Sequence, residues 1–511
     1  MKLPRPKSGF ALLVLMLFLV GFAALPGCDL GYFGDFSDEE LLASGDQLVI
    51  AYAEAPESFS PLSYEAAERK YLLDIYEALV RHDNSFNHDS SLAVSWGRLD
   101  DYTWDFKLRQ EVIFHDGSEF DANDARYSIN LALEHTDSEL KSLLSTIEEV
   151  KVTEEHRLEI VTLEPDPLLL DKLTYVFMVP EDYWDFDTPM GTGPYYPVSY
   201  ESSEDGADFT LARFDGYWGA APFFDEAVLT YIPGAEERLE AMLAGEVDFL
   251  ANVPPQYVED FEEAGIGVSG FPSLEVSFLM LNMDSAFGDL GLRGAVYHAL
   301  ADDYAEVLGS GYLMATSQYA AMGIAGFSPK IPDRQQNVEQ AEVFLSDYSG
   351  TTQLFVDLPV GLEALGEKLQ EDFEAVGLEL FVEMHEADEY EDYVLSGDSD
   401  AYFFGWKYDL ADVMDFYNAV AHSRGDDFGS FNVIAYSEDD VDVLIEEVNS
   451  VFDEVERGVL ISDITRLLTG DKAIIPLFES KVLYGISPDL TWPTRLDGQI
   501  LASEIVSFMV D

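Results

Sequence analysis

Residues 91–130, SLAVSWGRLDDYTWDFKLRQEVIFHDGSEFDANDARYSIN, constrain the fold of this chain more than any other stretch. Trp104, Phe106 and Leu108 alternate with Asp105, Lys107 and Arg109, the period of a half-buried strand. A second apolar run, 112–114, ends in His115-Asp116-Gly117. Asp-Gly between apolar runs signals a turn, because glycine tolerates the positive φ that tight turns need. Asp121, with Asp124 three residues on, suits an N-cap and an acidic N3 residue opening a helix. The expected order is strand, hairpin, strand, capped helix. His115 and Asp116 are read as residues that hold the turn.

A chain of 511 residues has room for two or three domains with large cores. Its 48% hydrophobic and 13% aromatic content places it among folded globular proteins. Against 27 basic residues stand 99 acidic ones, a net charge of −72. Such a surface repels nucleic acid and anionic membranes, so no nucleic-acid partner is expected. The excess predicts adaptation to high salt, where counterions screen the self-repulsion.

Lys2, Arg5 and Lys7 precede an apolar run, 10–25, broken only by Gly21, and no acid occurs before Asp29. This is the layout of a secretory signal rather than of an ordinary transmembrane helix. The run ends in Leu25-Pro26-Gly27-Cys28, which resembles a bacterial lipobox. That resemblance implies a signal peptide at 1–28 ending in a lipidated Cys28, with an incidental thiol in a cleaved leader as the alternative. Cys28 is the only cysteine, so an internal disulfide or a cysteine metal cluster is excluded. Residues 29–45, short and acidic, read as a tether.

Further along, 47–52 reads as a strand, 64–80 as a helix, 131–144 as helical with 141–144 a separate turn, and 150–152 and 158–163 as strands. Met190-Gly191-Thr192-Gly193-Pro194-Tyr195 reads as a turn between strands, since no Lys and no helix follow to make a phosphate loop. Leu239, Met242 and Leu243 mark a helix closed by Gly245. Helices are expected at 341–345, 362–376 and 441–459, and strands at 354–356, 378–384, 401–406 and 473–478. Alternating strands and helices argue for α/β lobes.

Leu92-Ala93, Trp96, residues 103–106, Leu108-Arg109, Val112, residues 114–117, Phe120, Asp124 and Ser128 stand at near-fixed spacing. Together they resemble the signature region of the family 5 extracellular solute-binding proteins of ABC transporters, the oligopeptide, dipeptide and nickel binders. Similar matches follow at Tyr76-Glu77-Ala78-Leu79-Val80, at the Gly-Thr-Gly-Pro-Tyr turn, at Tyr217-Trp218, along 238–248 and along 292–300. The resemblance implies an α/β, two-lobed, periplasmic binding protein type II-like fold over 46–511 with an extra inserted subdomain. Lobe 1 would comprise 46–63, 188–270 and 474–511, the inserted subdomain 64–187, and lobe 2 271–473.

It also implies a monomeric substrate-binding component, exported by the Sec pathway and lipid-anchored on the periplasmic side of the cell membrane. Such a protein captures peptides or peptide-like solutes and delivers them to an ABC permease and its ATPase subunits. A binding protein for an oligosaccharide or nickel chelate, or a non-transport sensory or scaffold module, is the alternative. No cofactor and no enzymatic activity are expected. The chain has no Gly-x-Ser-x-Gly, and His385-Glu386-Ala387-Asp388-Glu389 lacks the second His of a zinc protease.

Gly405-Trp406-Lys407-Tyr408-Asp409 falls where peptide-binding members carry Gly-Trp-x-x-Asp, whose Asp pairs with the peptide α-ammonium. The resemblance assigns that role to Asp409 and places Trp406 and Gly405 beside the ligand; in so acidic a chain, a plain surface Asp is the competing reading. Glu65, Ala66 and Ala67 fall where oligopeptide members touch the ligand backbone. Dipeptide members hold the ligand carboxylate with an Arg after the strand at 354–356, but here only Lys368 is near, which favours longer peptides or other ligands. The eight His residues show no His-x-x-x-His spacing, so no metal site is expected.

Overall fold

The computed structural model describes residues 45–507 except 204–205, 310–311 and 397–398. The leader at 1–28 with Cys28, and tether residues 29–44, lie outside the described residues. The described chain forms two compact units, one of residues 45–271 and 482–507, the other of 272–481.

In the first unit, strand Gly45–Tyr52 runs parallel to Phe224–Tyr231 and to Phe249–Leu250. Phe224–Tyr231 pairs antiparallel with Ala207–Arg213, which pairs with Tyr195–Ser202. Leu48, Ile50 and Tyr52 drive this sheet: two residues apart, they share a face and enter one core with Phe209, Leu211, Leu229 and Phe249. A second, four-stranded antiparallel sheet takes the order Ala93–Arg98, Thr103–Leu108, Arg157–Thr162, Ile147–Glu154. Trp104, Phe106 and Leu108 are buried there, as their alternation predicts, and Asp105 on the other face pairs with Arg157 at 2.6 Å.

Past this strand the hairpin forms without a second strand. Ile113 and Glu119 make an isolated bridge around a turn in which the Gly117 and Ser118 N–H groups donate to Phe114 O and Asp116 Oδ1. The helix Ala122–Glu134 then opens on a complete capping box. Asp121 Oδ1 accepts from the Asn123 N–H, and Asp124 Oδ2 accepts from the Asp121 N–H. It stops at Glu134, short of the expected 144, because His135 turns extended and the Ser138 hydroxyl satisfies the Ala132 carbonyl.

The helix expected over 64–80 shrinks to Ala66–Arg69 followed by turns, and Val80–His82 is a strand. The cause is tertiary. The Asp74 and Ile75 carbonyls, which a helix would use internally, accept from the Tyr195 and Gly193 N–H groups. A Cβ on Gly193 would stand 2.3 Å from Asp74 O, and one on Gly191 2.2 Å from Ile75 O. The glycines of the Gly-Thr-Gly turn thus serve close backbone approach.

In the second unit the sheet order is Glu379–His385, Gln353–Pro359, Ala401–Lys407, Gly267–Leu281, Ile474–Ile486, with Leu313–Ala315 pairing the last. The first and last of these strand ranges are the same chain segments expected at 378–384 and 473–478. Gly267–Leu281 begins and Ile474–Ile486 ends in the first unit's residues. Helices Leu290–Ala299 and Glu363–Glu374 bury Leu292, Val296, Leu365, Leu369 and Phe373 in a core with Leu354, Val356 and Leu477. The long helix expected over 441–459 is two helices, Asp439–Val448 and Glu454–Asp471. Asp453 breaks it by capping the second, accepting from the Val455 and Glu456 N–H groups.

Candidate functional site

The strand Ala401–Lys407 carries the Gly-Trp pair, with Gly405 opposite Ser277 and Trp406 opposite Val276 in antiparallel register. Gly405 is required by its neighbour across the strands: a Cβ there would stand 2.5 Å from Glu275 Oε1. Glu275 is 5% exposed, and burial pushes its carboxyl up to about 7, opposed in part by Lys407. Nothing in the sequence marked this residue except an acid within an apolar run.

Trp406 is buried and packs edge-on against Phe416 and Phe431, both at 5.8 Å between ring centres. Its first role is therefore packing. Beyond the strand, Asp409, Asp412 and Asp415 follow at three-residue spacing, with Asp415 on the short helix Met414–Phe416. The three carboxylates differ in state. Asp412 is buried, accepts from the Met414 N–H at 2.8 Å and pairs with Arg457. Asp415 is pushed up to about 8 by burial and then by the negative charge of Asp409, while the Trp406 indole partly opposes the rise. At neutral pH Asp415 therefore holds a proton beside a half-buried Asp409. Ala411, between them, sits at φ 56, a left-handed conformation rare for alanine, and its carbonyl accepts from the Ala325 N–H. Such strain concentrates at ligand-handling segments.

Glu65 precedes the helix Ala66–Arg69, its carbonyl accepting from the Glu68 and Arg69 N–H groups. Ala66 is exposed, and Glu65 and Ala67 are half-buried. The helix is anchored by Arg69, which donates to Ser63 O and Tyr175 O and lies 4.1 Å over the Phe177 ring. Gly405, Trp406 and Asp409 are thus grouped in the second unit, and Glu65, Ala66 and Ala67 in the first. Lys368, the base nearest the missing Arg, is engaged with Asp372 at 3.2 Å.

The motif residues of the first unit converge on Glu77. Its Oε2 accepts from Thr192 Oγ1 and from Trp218 Nε1, both at 2.8 Å, and its Oε1 accepts from the Tyr217 hydroxyl at 3.2 Å. Arg109 lies 3.7 Å over the Trp218 ring. Burial pushes Glu77 up to about 7 against these three donors. His115 belongs to the same frame: its Nε2 donates to Gly193 O at 3.1 Å and its Nδ1 accepts from the Gly191 N–H. Burial lowers it to about 4, so the ring is neutral and holds the turn.

Among the described residues, two groups of side chains have donor atoms close enough to share a metal ion: His82, His88 and Asp171, and Asp357, Glu383 and His385. Their spacing along the chain hid the first from any sequence pattern.

The family model for bacterial extracellular solute-binding proteins, family 5 Middle, matches residues 89–428. The nickel-binding protein NikA of Staphylococcus aureus is 25% identical over 455 residues, 84% of this chain and 87% of its own length. The dipeptide-binding protein of Escherichia coli is 23% identical over 434 residues, 75% of this chain and 80% of its own. Among solved structures, the periplasmic binding protein DppA from Helicobacter pylori in complex with the peptide STSA is similar with a TM-score of 0.73 at 21% identity, covering 91% of this chain and 99% of that one. HbpA2 from Haemophilus parasuis is similar with a TM-score of 0.81 at 17% identity, covering 91% and 100%. The fold is the α/β, two-lobed, type II-like fold of periplasmic binding proteins.

Proposed function

The chain belongs to the bacterial extracellular solute-binding proteins of family 5, and from that premise we propose that it captures peptides or peptide-like solutes outside the cytoplasmic membrane and hands them to an ABC permease driven by separate ATPase subunits. The observation that carries the peptide reading is the carboxylate pair at Asp409 and Asp415, in which Asp415 bears a proton at neutral pH beyond the Gly405-Trp406 strand end. A cationic group placed at Asp409 gains a charge-assisted hydrogen bond. Asp415 gives up its proton more readily as that cation arrives, so affinity for a free amine rises with pH toward 8. Glu65, Ala66 and Ala67 supply the backbone-contacting side in this reading. Lys368, committed to Asp372, leaves the carboxylate end of a free dipeptide unserved and favours longer peptides.

In this assignment, lobe 1 is 46–63, 188–270 and 474–511, the inserted subdomain 64–187, and lobe 2 271–473. Cys28 carries the lipid after Sec export, the tether follows, the protein works as a monomer without enzymatic activity, and the acidic surface is an adaptation to salt. A nickel chelate is the second reading, favoured by the 25% identity to NikA, of which a Staphylococcus aureus structure holds Ni(L-His)2.

Native mass spectrometry of the protein as purified in volatile salt, with identification of what denaturation releases, tests the substrate. Co-purifying short peptides are the expected result. A single metal chelate or oligosaccharide would replace the substrate class and leave the transport role.

A further inference from the structure

The hairpin of Val80–His82 and His88–Ser90 sets two imidazoles directly opposite each other, His82 against His88 in the antiparallel register. Its five-residue loop is fixed by Asp83, whose Oδ1 accepts from the Ser85 and Asn87 N–H groups, and Phe86 takes the left-handed conformation at φ 63. Under the hairpin lies the short helix Leu169–Leu173, pinned by fully buried Leu169 and Leu173. It presents Asp171. The Nε2 atoms of both imidazoles meet the same carboxylate oxygen, Asp171 Oδ1, at 2.9 Å from His82 and 2.8 Å from His88.

The geometry points to a divalent transition-metal site, zinc in the first place, made by His82, His88 and Asp171. The three donor atoms lie within 4.8 Å of one another, a spacing that closes onto one ion at bonds of about 2.0–2.2 Å with small side-chain adjustments. Two imidazole nitrogens and one carboxylate oxygen suit zinc among the common cations, whereas magnesium and calcium prefer all-oxygen sets. His82 and Asp171 are buried, and the His88 side chain is 31% exposed. The site therefore has buried, pre-positioned ligands and an open side for entry and for a solvent ligand.

Surrounding bonds hold the ligands in place. Arg495 donates to His82 O at 3.0 Å, and its own charge is matched by Asp497 and Glu504. The Phe86 ring meets the His82 ring edge-on at 5.2 Å. Orientation by such outer partners is a regular part of metal sites. The bound ion would clamp the 80–90 hairpin to the 169–173 helix, each imidazole presenting Nε2 to the metal and carrying its ring N–H on Nδ1. The cluster of Asp357, Glu383 and His385 is the weaker candidate, because it offers one imidazole, and that ring lies 3.7 Å from the Tyr393 ring.

The test is a titration of the full folded chain with zinc and, separately, with cobalt as a spectroscopic probe. Molar NaCl and excess magnesium occupy the surface carboxylates. One zinc per chain is expected, with a tetrahedral-type visible cobalt band and a raised melting temperature. His88→Ala, which removes the one exposed ligand, should melt like the wild type without metal. It should lose the band and weaken zinc binding at least about 10-fold. His385→Ala should retain both. Absence of tight zinc binding, an unchanged band in His88→Ala, or loss of the band in His385→Ala instead would each overturn the site.

Discussion

Asp409→Asn keeps the shape of the side chain and removes its charge. Binding of a free-amine peptide should fall about 10- to 100-fold, the value of a hydrogen bond to a charged group, while the N-acetylated peptide should lose little. Calorimetric titration of the two ligands separates them, and equal losses would remove the ammonium role. Glu77 is the corresponding single residue in the other unit. Glu77→Ala removes the acceptor of three donors, buried Thr192 and half-buried Tyr217 and Trp218, the buried one at about 1–3 kcal/mol. Its melting temperature should drop well below that of Glu77→Gln, which keeps an acceptor in place. Thermal melts of both variants in high salt would show it, and equal melting of the two would mean that the donors find other partners.

Elements were legible where their signals were local. Helix Ala122–Glu134 follows from Asp121 and Asp124 three residues apart, and strand Thr103–Leu108 from alternation. Residues 64–80 misled because Asp74 and Ile75 spend their carbonyls on a turn far along the chain, at 193–195. Residues 441–459 misled because an aspartate in an acidic run looks like one more surface charge, yet Asp453 starts a new helix. The Gly405-Trp406-x-x-Asp409 segment was legible as a motif. The state of its acids was not, since the proton on Asp415 depends on burial. The Glu77 frame joins residues 115 and 141 positions apart, beyond any periodicity. The Gly-Thr-Gly turn gives an element-scale test. Gly193→Ala drives a Cβ against Asp74 O and should cost about 1–3 kcal/mol, the range for overpacking. Gly97→Ala, with open space around it, should stay within about 0.5 kcal/mol. Melts of the two side by side decide it, and a neutral Gly193→Ala would mean the strands can part.

At the scale of the molecule, charge and burial act together. Asp74 is raised by burial to about 6, Glu77, Glu275 and Glu479 to about 7, and Asp415 to about 8. Each folded pKa lies above its unfolded value, so each contributes stability that is present at acid pH and lost as pH rises through 6 to 8. The net charge of −72 adds self-repulsion over the same range and is screened by salt. The melting temperature should therefore climb from pH 8 toward pH 5, and from low to molar salt. A flat profile against pH would mean that the buried carboxylates are charged, and a flat profile against salt would remove the high-salt adaptation.

The protons on these five acids have a consequence for the protein's surroundings. Between about pH 5 and 7 the folded chain holds protons on these acids that the unfolded chain releases, so every molecule that unfolds there acidifies a weakly buffered medium. The acid so released favours the folded state. Unfolding of a concentrated population in a confined volume thus carries its own brake, and each molecule that refolds takes the same protons back.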